Sequence, residues 1–352
     1  MDGLVRMRIS FWAYWLDPLM VAVSKEMCEL MRHFPGSYAF GVSSRYIFKM
    51  SYAHRTLGIH TSLYPLVRYV IPGLERQFDV SHVYTTLADW HFLNALGQRA
   101  IVLTLTSPSQ DADTRLLGKL SHVVAQSEHL AESAIQHGIP ADRVSIVYPG
   151  VDLDLFNAKP PLAPGRVWKC LFASSPENTQ EIYTKGVDLL LDLAACEPNL
   201  EITILWRPFG RQSDRALQEV QKRRLPNVVL HRGRITDIHR FYGQYHFTVA
   251  PFRTVGKSCP NSILESLATG RPVLVSQYVD IADLLAQEGA GLSFEQTLDG
   301  LREAFALLCT HYQSFQHNAR LCAEKYFNLQ NTIQSYKAIY HKVLQYSRGS
   351  MR

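Results

Sequence analysis

Short apolar runs alternate with amphipathic stretches along almost the whole chain. In the first half VRMRISFW (5–12), DVSHVY (79–84), AIVLTLT (100–106), SHVVAQS (121–127) and RVSIVYPG (143–150) have the length and β-branched content of buried strands. In the second half VWKCLFASS (167–175), LEITILW (200–206), NVVLHRG (227–233), FTVAPF (247–252) and RPVLVS (271–276) read the same way. Between them apolar positions recur at helical spacing, as in HLAESAIQHG (129–138), KGVDLLLDLAA (185–195), SDRALQEVQKRR (213–224) and a long pattern over 332–346. Ser127 is an N-cap type just before one of these helices, and Gly138 suits its C-terminal end. Strands that alternate with helices predict parallel sheets covered on both faces. The periodicity stops at NAKPPLAPGR (157–166), a proline-rich stretch that predicts a linker. The expected fold class is therefore α/β, with doubly wound halves over 1–156 and 167–330 and a closing helix over 331–352.

Length supports two cores, since 352 residues and 40.0 kDa exceed what one ordinary domain holds. No run reaches the roughly 18–20 apolar residues of a membrane helix. FWAYWLDPLMVAV (11–23) is broken by Asp17 and Pro18 and predicts a strand followed by a helix start. Six cysteines lie scattered at Cys28, Cys170, Cys196, Cys259, Cys309 and Cys322, with no C-x-x-C pair and no zinc spacing. They suit a reducing, cytoplasmic setting. The net charge of +5 says little, but its distribution says more. No acid falls between Glu29 and Glu75, while Arg32, Arg45, Lys49, Arg55 and Arg68 do, interleaved with Tyr38, Phe40, Tyr46, Phe48, Tyr52, Tyr64 and Tyr69. Two readings stand: core-facing aromatics with a solvated basic face, or a surface that meets anionic lipid or a polyanionic acceptor, peripheral at the membrane. No nucleic-acid-binding motif accompanies the charge, so nucleic acid is not expected as a partner.

Ligands of such sheets bind beyond the carboxyl ends of the strands, so the chemistry is sought there. Lys185 and Gly186 open a helix, where free amides and a lysine charge suit a diphosphate. CPNSILESLATG (259–270) offers a second helix start with Glu265 about one turn in. His231, Arg232 and Arg234 follow a strand, and His82, Thr104 and Thr106 lie at strand ends of the first half. Each also has a plainer role: a solvated lysine, a helix-stabilising carboxylate, loop arginines, a packed core histidine. G-x-G-x-x-G after the first strand, a Walker loop and a G-x-S-x-G elbow are all missing. Basic side chains and helix ends would neutralise any diphosphate bound there.

Taken in order, VYPGVDLDLF (147–156), KGVDLLLDLA (185–194), NVVLHRGRITD (227–237), FYGQYHFTVAPF (241–252) and CPNSILESLATGRPVLVS (259–276) resemble the retaining GT-B glycosyltransferases of glycosyltransferase family 4. The resemblance implies two Rossmann-like domains facing across a cleft, with the C-terminal helix crossing back to the first. It implies a hexosyltransferase-type enzyme that moves a sugar from a nucleotide-sugar donor with retention, needing neither metal nor cofactor. Carried onto this chain, it assigns Lys185 to the donor phosphates and Glu265 to the ribose hydroxyls. Ser258, Cys259, Pro260, Asn261 and Ser262 would cradle sugar and phosphate, and Gly233 and Arg234 would lie by the base. The family's arginine before the phosphate lysine has no counterpart, and Arg207 or Arg211 would substitute. Lys257 stands where the family carries a sugar-contacting Glu, eight positions before Glu265. WLDPLM and TLTSP replace the family's glycine-rich turn and T-x-H in the first domain. His82 and Thr106 are the acceptor-side candidates, for an unknown acceptor read as lipid-linked or membrane-associated. The alternative is a non-catalytic nucleotide-sugar-binding protein of this fold, or an epimerase-like enzyme.

Overall fold

The computed structural model describes residues 7–18, 21–42, 48–51, 55–86, 94–108, 114–160, 162–163, 165–207, 210–254 and 258–349. The chain forms two compact units, one of Met1–Pro149 with Gln330–Arg352, the other of Gly150–Leu329. Unit 1 carries β1 (Ile9–Trp15), β2 (Tyr38–Val42), β3 (Phe48–Ser51), β4 (Thr56–Ile59), β5 (Val80–Thr85), β6 (Ala100–Leu105), β7 (Leu120–Ala125) and β8 (Val144–Ile146). Its helices are α1 (Ala22–Arg32), α2 (Tyr64–Val67), α3 (Ile71–Glu75), α4 (Thr114–Leu117) and α5 (Glu128–Gln136). Unit 2 carries β9 (Trp168–Phe172), α6 (Gln180–Thr184), α7 (Val187–Cys196), β10 (Leu200–Trp206), α8 (Arg211–Gln221), β11 (Val228–Arg232), α9 (Ile238–Phe241) and β12 (Phe247–Ala250). It continues with α10 (Asn261–Ala268), β13 (Val273–Ser276), α11 (Ala282–Gln287), β14 (Gly291–Phe294), α12 (Leu298–Thr310) and α13 (Tyr312–Tyr326). Helix α14 (Leu329–Gly349) follows, and from Gln330 it belongs to unit 1.

Among the described residues the sheet of unit 1 runs β3-β4-β2-β1-β5-β6-β7-β8, parallel except for the β3–β4 edge pair. That of unit 2 runs β11-β10-β9-β12-β13-β14, with every pair parallel. The second order is that of a dinucleotide-type doubly wound fold, in which the winding reverses between the first and fourth strands. Here the reversal falls between β9 and β12. Strands covered on both faces need apolar side chains on both, and β12 and β13 are buried at every position. The core of unit 2 packs Phe172, Leu190, Ile202, Trp206, Phe247 and Leu301. That of unit 1 packs Trp12, Phe40, Leu103, Val123 and Leu130.

Local signals explain several ends. Ser127 caps α5 by accepting from the Leu130 N–H at 3.1 Å, and Gly138, φ +94°, lies just past that helix. The proline-rich stretch 157–166 lies within unit 2, since that unit begins at Gly150. Among the described residues it joins no ladder, and distant residues anchor it. Arg271 Nη2 donates to Pro160 O at 2.8 Å, and the Lys159 N–H donates to Thr269 O at 3.1 Å. Where the chain enters and leaves unit 2 the two segments bond to each other: Val151 N–H to Phe327 O at 2.8 Å, Leu329 N–H to Val151 O at 3.1 Å. No helix among the described residues is long and apolar enough to cross a membrane.

Candidate donor site in the second unit

The loops that follow β9 and β12 leave the sheet where its winding reverses, and they are bonded together there. The Arg253 N–H donates to Thr184 O at 2.9 Å. Its guanidinium donates to Tyr183 O at 2.7 Å and to Asp188 Oδ1 at 2.6 Å, and lies 4.0 Å from the centre of the Tyr183 ring. Gly186 makes this approach possible. It turns the chain from α6 into α7 at φ +71°, and a Cβ there would lie 1.9 Å from Pro251 O. Only glycine meets both demands.

Lys185 closes α6 immediately before that turn. Its ammonium donates to Ser175 O at 2.7 Å and pairs with Glu181 Oε2 at 2.8 Å. Of three ammonium donors, two are so engaged, and the side chain is a quarter exposed. Ser175 also accepts the Arg207 N–H at its Oγ, 2.8 Å away, so one buried serine ties the ends of β9 and β10 to the lysine. Ser213 Oγ braces the same corner by donating to Pro176 O at 3.2 Å and Arg207 O at 3.1 Å.

Helix α10 begins after Pro260, and its first-turn amides point along the axis toward the same end of the sheet. Just before it, Ser258 is buried with no hydrogen-bond partner for its Oγ. Glu265 is the fifth residue of α10, past the first turn, so it does not cap the helix. It is only 8% exposed. Tyr242 OH donates to its Oε2 at 3.0 Å. Burial and then the Glu265 carboxylate push the Tyr242 phenol well above its ordinary range, while the Arg207 charge acts the other way. Glu265, Tyr242 and Arg207 therefore share one electrostatic neighbourhood. A buried carboxylate held by a neutral phenol is an acceptor fixed in place. Replacing Tyr242 by Phe is expected to destabilise unit 2 by about 1.5–3 kcal/mol, the usual worth of a hydrogen bond to a charged group. Urea unfolding measures this.

The family described as Glycosyl transferases group 1 matches residues 174–311, the segment that builds this site. The family described as Glycosyltransferase Family 4 matches 35–155. The chain belongs to the family 4 glycosyltransferases of the GT-B fold. A glycosyltransferase from Rickettsia africae superposes with a TM-score of 0.75 at 13% identity, over 96% of this chain and 99% of that one. Anabaena Alr3699/HepE in complex with UDP gives 0.73 at 17% identity, over 96% and 100%. Sucrose-phosphate synthase from Thermosynechococcus elongatus gives 0.72 at 14% identity, over 97% and 100%. No curated protein sequence matches the chain.

The glycosyltransferase thus places Lys185 and Arg207, joined through Ser175, beyond the carboxyl ends of β9 and β10, and Glu265, held by Tyr242, in the helix that follows β12. Gly233, φ +117°, ends β11 and donates its N–H to Trp206 O at 3.0 Å, beside Arg207. Arg234 is exposed, and Arg211 is the first residue of α8. Arg232 pairs with Asp214 at 2.6 Å, and His231 packs its ring against Phe241. Cys259 and Pro260 are buried, while Asn261 and Ser262 are partly exposed. Lys257 lies outside the described residues. Sequence reasoning missed Ser175, Glu181 and Tyr242. Only Glu181, four positions before Lys185, leaves a local signal, the helical i,i+4 acid–base pair. No group of three His, Cys, Asp or Glu side chains able to hold a metal occurs among the described residues.

In unit 1 the structure buries both acceptor-side candidates. His82 is fully buried, with Nδ1 2.6 Å from Tyr340 OH and Nε2 2.7 Å from Thr104 Oγ1. Thr104 Oγ1 in turn lies 2.9 Å from Tyr336 OH, so His82 and Thr104 fasten α14 to the sheet. Both ring nitrogens are occupied by protein and no surface is left for a substrate. Thr106 is also buried, its N–H bonded to Thr85 O at 3.4 Å. Burial lowers the His82 pKa to about 3. The unfolded chain takes up that proton near pH 6.5 and the folded one does not, so the stabilisation is complete above pH 6.5 and is lost as pH falls toward 3. At roughly 1.4 kcal/mol per pH unit, acidification from 6.5 to 5 removes about 2 kcal/mol. His122, lowered to about 4 chiefly by burial, adds in the same direction. Urea midpoints between pH 7 and 5 test the slope, and NMR should show the His82 ring neutral throughout.

Proposed function

We propose that this glycosyltransferase binds a nucleotide-sugar donor in unit 2 and transfers its hexose with retention of configuration, without a metal. The convergence of Lys185, Arg207 and the Tyr242-held Glu265 on the point where the second sheet reverses is the observation that carries the reading. Breaking the bond between the sugar C1 and the phosphate oxygen leaves negative charge on the diphosphate. The free donor of Lys185 and the amides opening α10 stabilise that charge where it develops, and the buried Ser258 Oγ supplies a further donor beside them. Glu265 holds the ribose hydroxyls and Gly233 and Arg234 flank the base. The departing phosphate oxygen accepts the proton of the attacking hydroxyl on the same face of the sugar. Metal independence is read from these cationic and amide donors, which would neutralise the diphosphate themselves. Lys257 meets the donor sugar in place of the family's acid and bears on which sugar is taken. The Anabaena complexes with UDP and UDP-glucose support uridine diphosphate donors as the first to test.

The six free thiols support a reducing, cytoplasmic setting, and the acid-free segment 30–74 supports a lipid-linked or membrane-associated acceptor. A thermal-shift screen of nucleotides and nucleotide sugars is the test. One nucleoside diphosphate and its sugar should raise the melting temperature with and without EDTA. Lys185→Ala should weaken the nucleoside diphosphate and leave the bare nucleoside unchanged, with kcat/KM falling about 100-fold or more. No stabilisation by any nucleotide overturns the reading. Nucleotide release without a glycosylated product points instead to an epimerase-like reaction.

A further inference from the structure

Helix α2, the turn that follows it and the start of α3 lie inside the acid-free span and present an apolar surface to water. Leu66 is 68% exposed, Tyr69 72% and Val70 65%, all within five positions of one another. Single exposed apolar side chains are ordinary, whereas a contiguous set calls for an occupant. Arg68 sits in the middle of the set, 4.8 Å from the Tyr69 ring centre, and donates to Tyr69 OH at 2.7 Å. Among the described residues no carboxylate pairs with it. Arg55 donates to the carbonyl of Phe34 at 3.1 Å rather than to an acid. Glu75, which ends the acid-free span, is turned inward and fully buried. It accepts from the N–H groups of Gly97, Gln98 and Arg99 at 3.0, 2.8 and 3.1 Å and from Ser81 Oγ at 2.8 Å. Its charge is therefore spent inside the fold and does not offset Arg68 at the surface. Ile71, buried next to Val70, anchors the tip to the core.

We propose that this α2–α3 tip docks the glycosyltransferase on an anionic lipid bilayer. Leu66 and Val70 enter the boundary of the acyl chains, Tyr69 lies at headgroup level and Arg68 meets anionic headgroups. Charge complementarity decides for this occupant, because Arg68 at the tip has no carboxylate partner among the described residues and the sequence from 30 to 74 contains no acid. The inference deepens the reading of a membrane-associated acceptor by naming the face that meets the membrane.

The test is co-sedimentation of the full chain with vesicles of phosphatidylcholine alone or mixed with phosphatidylglycerol. The wild type should bind the mixed vesicles and release as salt is added. Arg68→Gln should weaken binding about fivefold, the worth of one basic side chain near an anionic surface. The double variant Leu66→Ser, Val70→Ser should weaken it tenfold or more. Both should keep the wild-type melting temperature and its shift by nucleotide. Absent binding, equal binding to neutral vesicles, or variants that bind like the wild type overturn the proposal. So does a double variant whose only effect is to split a wild-type dimer on gel filtration. These failures leave the nucleotide shift untouched, so they are separable from failure of the donor reading.

Discussion

Replacing Glu265 by Gln should weaken nucleoside diphosphate binding by about 10- to 100-fold and leave the fold in place. A hydrogen bond from a ligand hydroxyl to a carboxylate is worth about 1.5–3 kcal/mol, and each 1.4 kcal/mol is tenfold in affinity. Glutamine has the same shape and keeps an oxygen that accepts from Tyr242, so the buried contact at Oε2 survives. The competing role for this carboxylate is support of a helix N-terminus. That effect fades beyond the first turn and is worth about 0.3–1 kcal/mol, and Glu265 lies past that turn. The two roles therefore separate cleanly by calorimetry. A clamp loses ligand affinity at constant melting temperature, while a helix stabiliser loses melting temperature at constant affinity. Unchanged affinity would remove Glu265 from the donor site.

Gly186→Ala should be among the most damaging single changes in unit 2. The added methyl would lie 1.9 Å from Pro251 O and 2.8 Å from Pro251 C, both backbone atoms that no rotamer change can move. Pro251 O also accepts from Gln296 Nε2, so its retreat would strand a second group. The backbone at φ +71° adds roughly 1–2 kcal/mol for any residue with a Cβ. Together we expect a loss of about 3 kcal/mol or more, which lowers the melting temperature by roughly 6–12 °C in a domain of this size. Gly138→Ala is the matched control. Gly138 shares a positive φ, +94°, but has nothing within 4 Å of the added carbon. It should lose only the backbone part. Similar losses at the two positions would show that the contact with Pro251, and with it the joining of the β9 and β12 loops, is unimportant.

Much of this was legible along the chain because the signals were local. Each of the five apolar runs of the second half became a strand, and Ser127 caps its helix as its type and place suggest. Two of the strands that escaped notice, β2 and β14, carry glycine where neighbours crowd. In β2 a Cβ on Gly41 would lie 2.6 Å from Ala13 O, and in β14 one on Gly291 would lie 2.4 Å from Val273 O. Close packing needs those glycines, and they break the apolar pattern by which a strand is recognised. The proline-rich stretch 157–166 read as a linker because proline cannot join a ladder, yet its holding partners, Arg271 and Thr269, lie a hundred residues away in sequence. The site divides the same way. Lys185 and Glu265 stand in recognisable helix starts, whereas Tyr242 reaches Glu265 across 23 positions and Arg207 reaches Ser175 across 32. His82 looked like a strand-end histidine open to a substrate, because nothing nearby in sequence reveals the two tyrosines that cover it.

Those tyrosines also set an order of events during synthesis. Unit 2 is one unbroken segment, Gly150–Leu329, and can close as soon as it has emerged. The sheet of unit 1 is translated earlier, but the partners of His82 and Thr104 follow 258 and 232 positions later, on α14. Until that helix leaves the ribosome, a histidine and a threonine wait on an uncovered sheet face without their hydrogen bonds. The half of the protein begun first is thus the half finished last, and a nascent chain stalled before Tyr336 would carry a complete second unit and an incomplete first one.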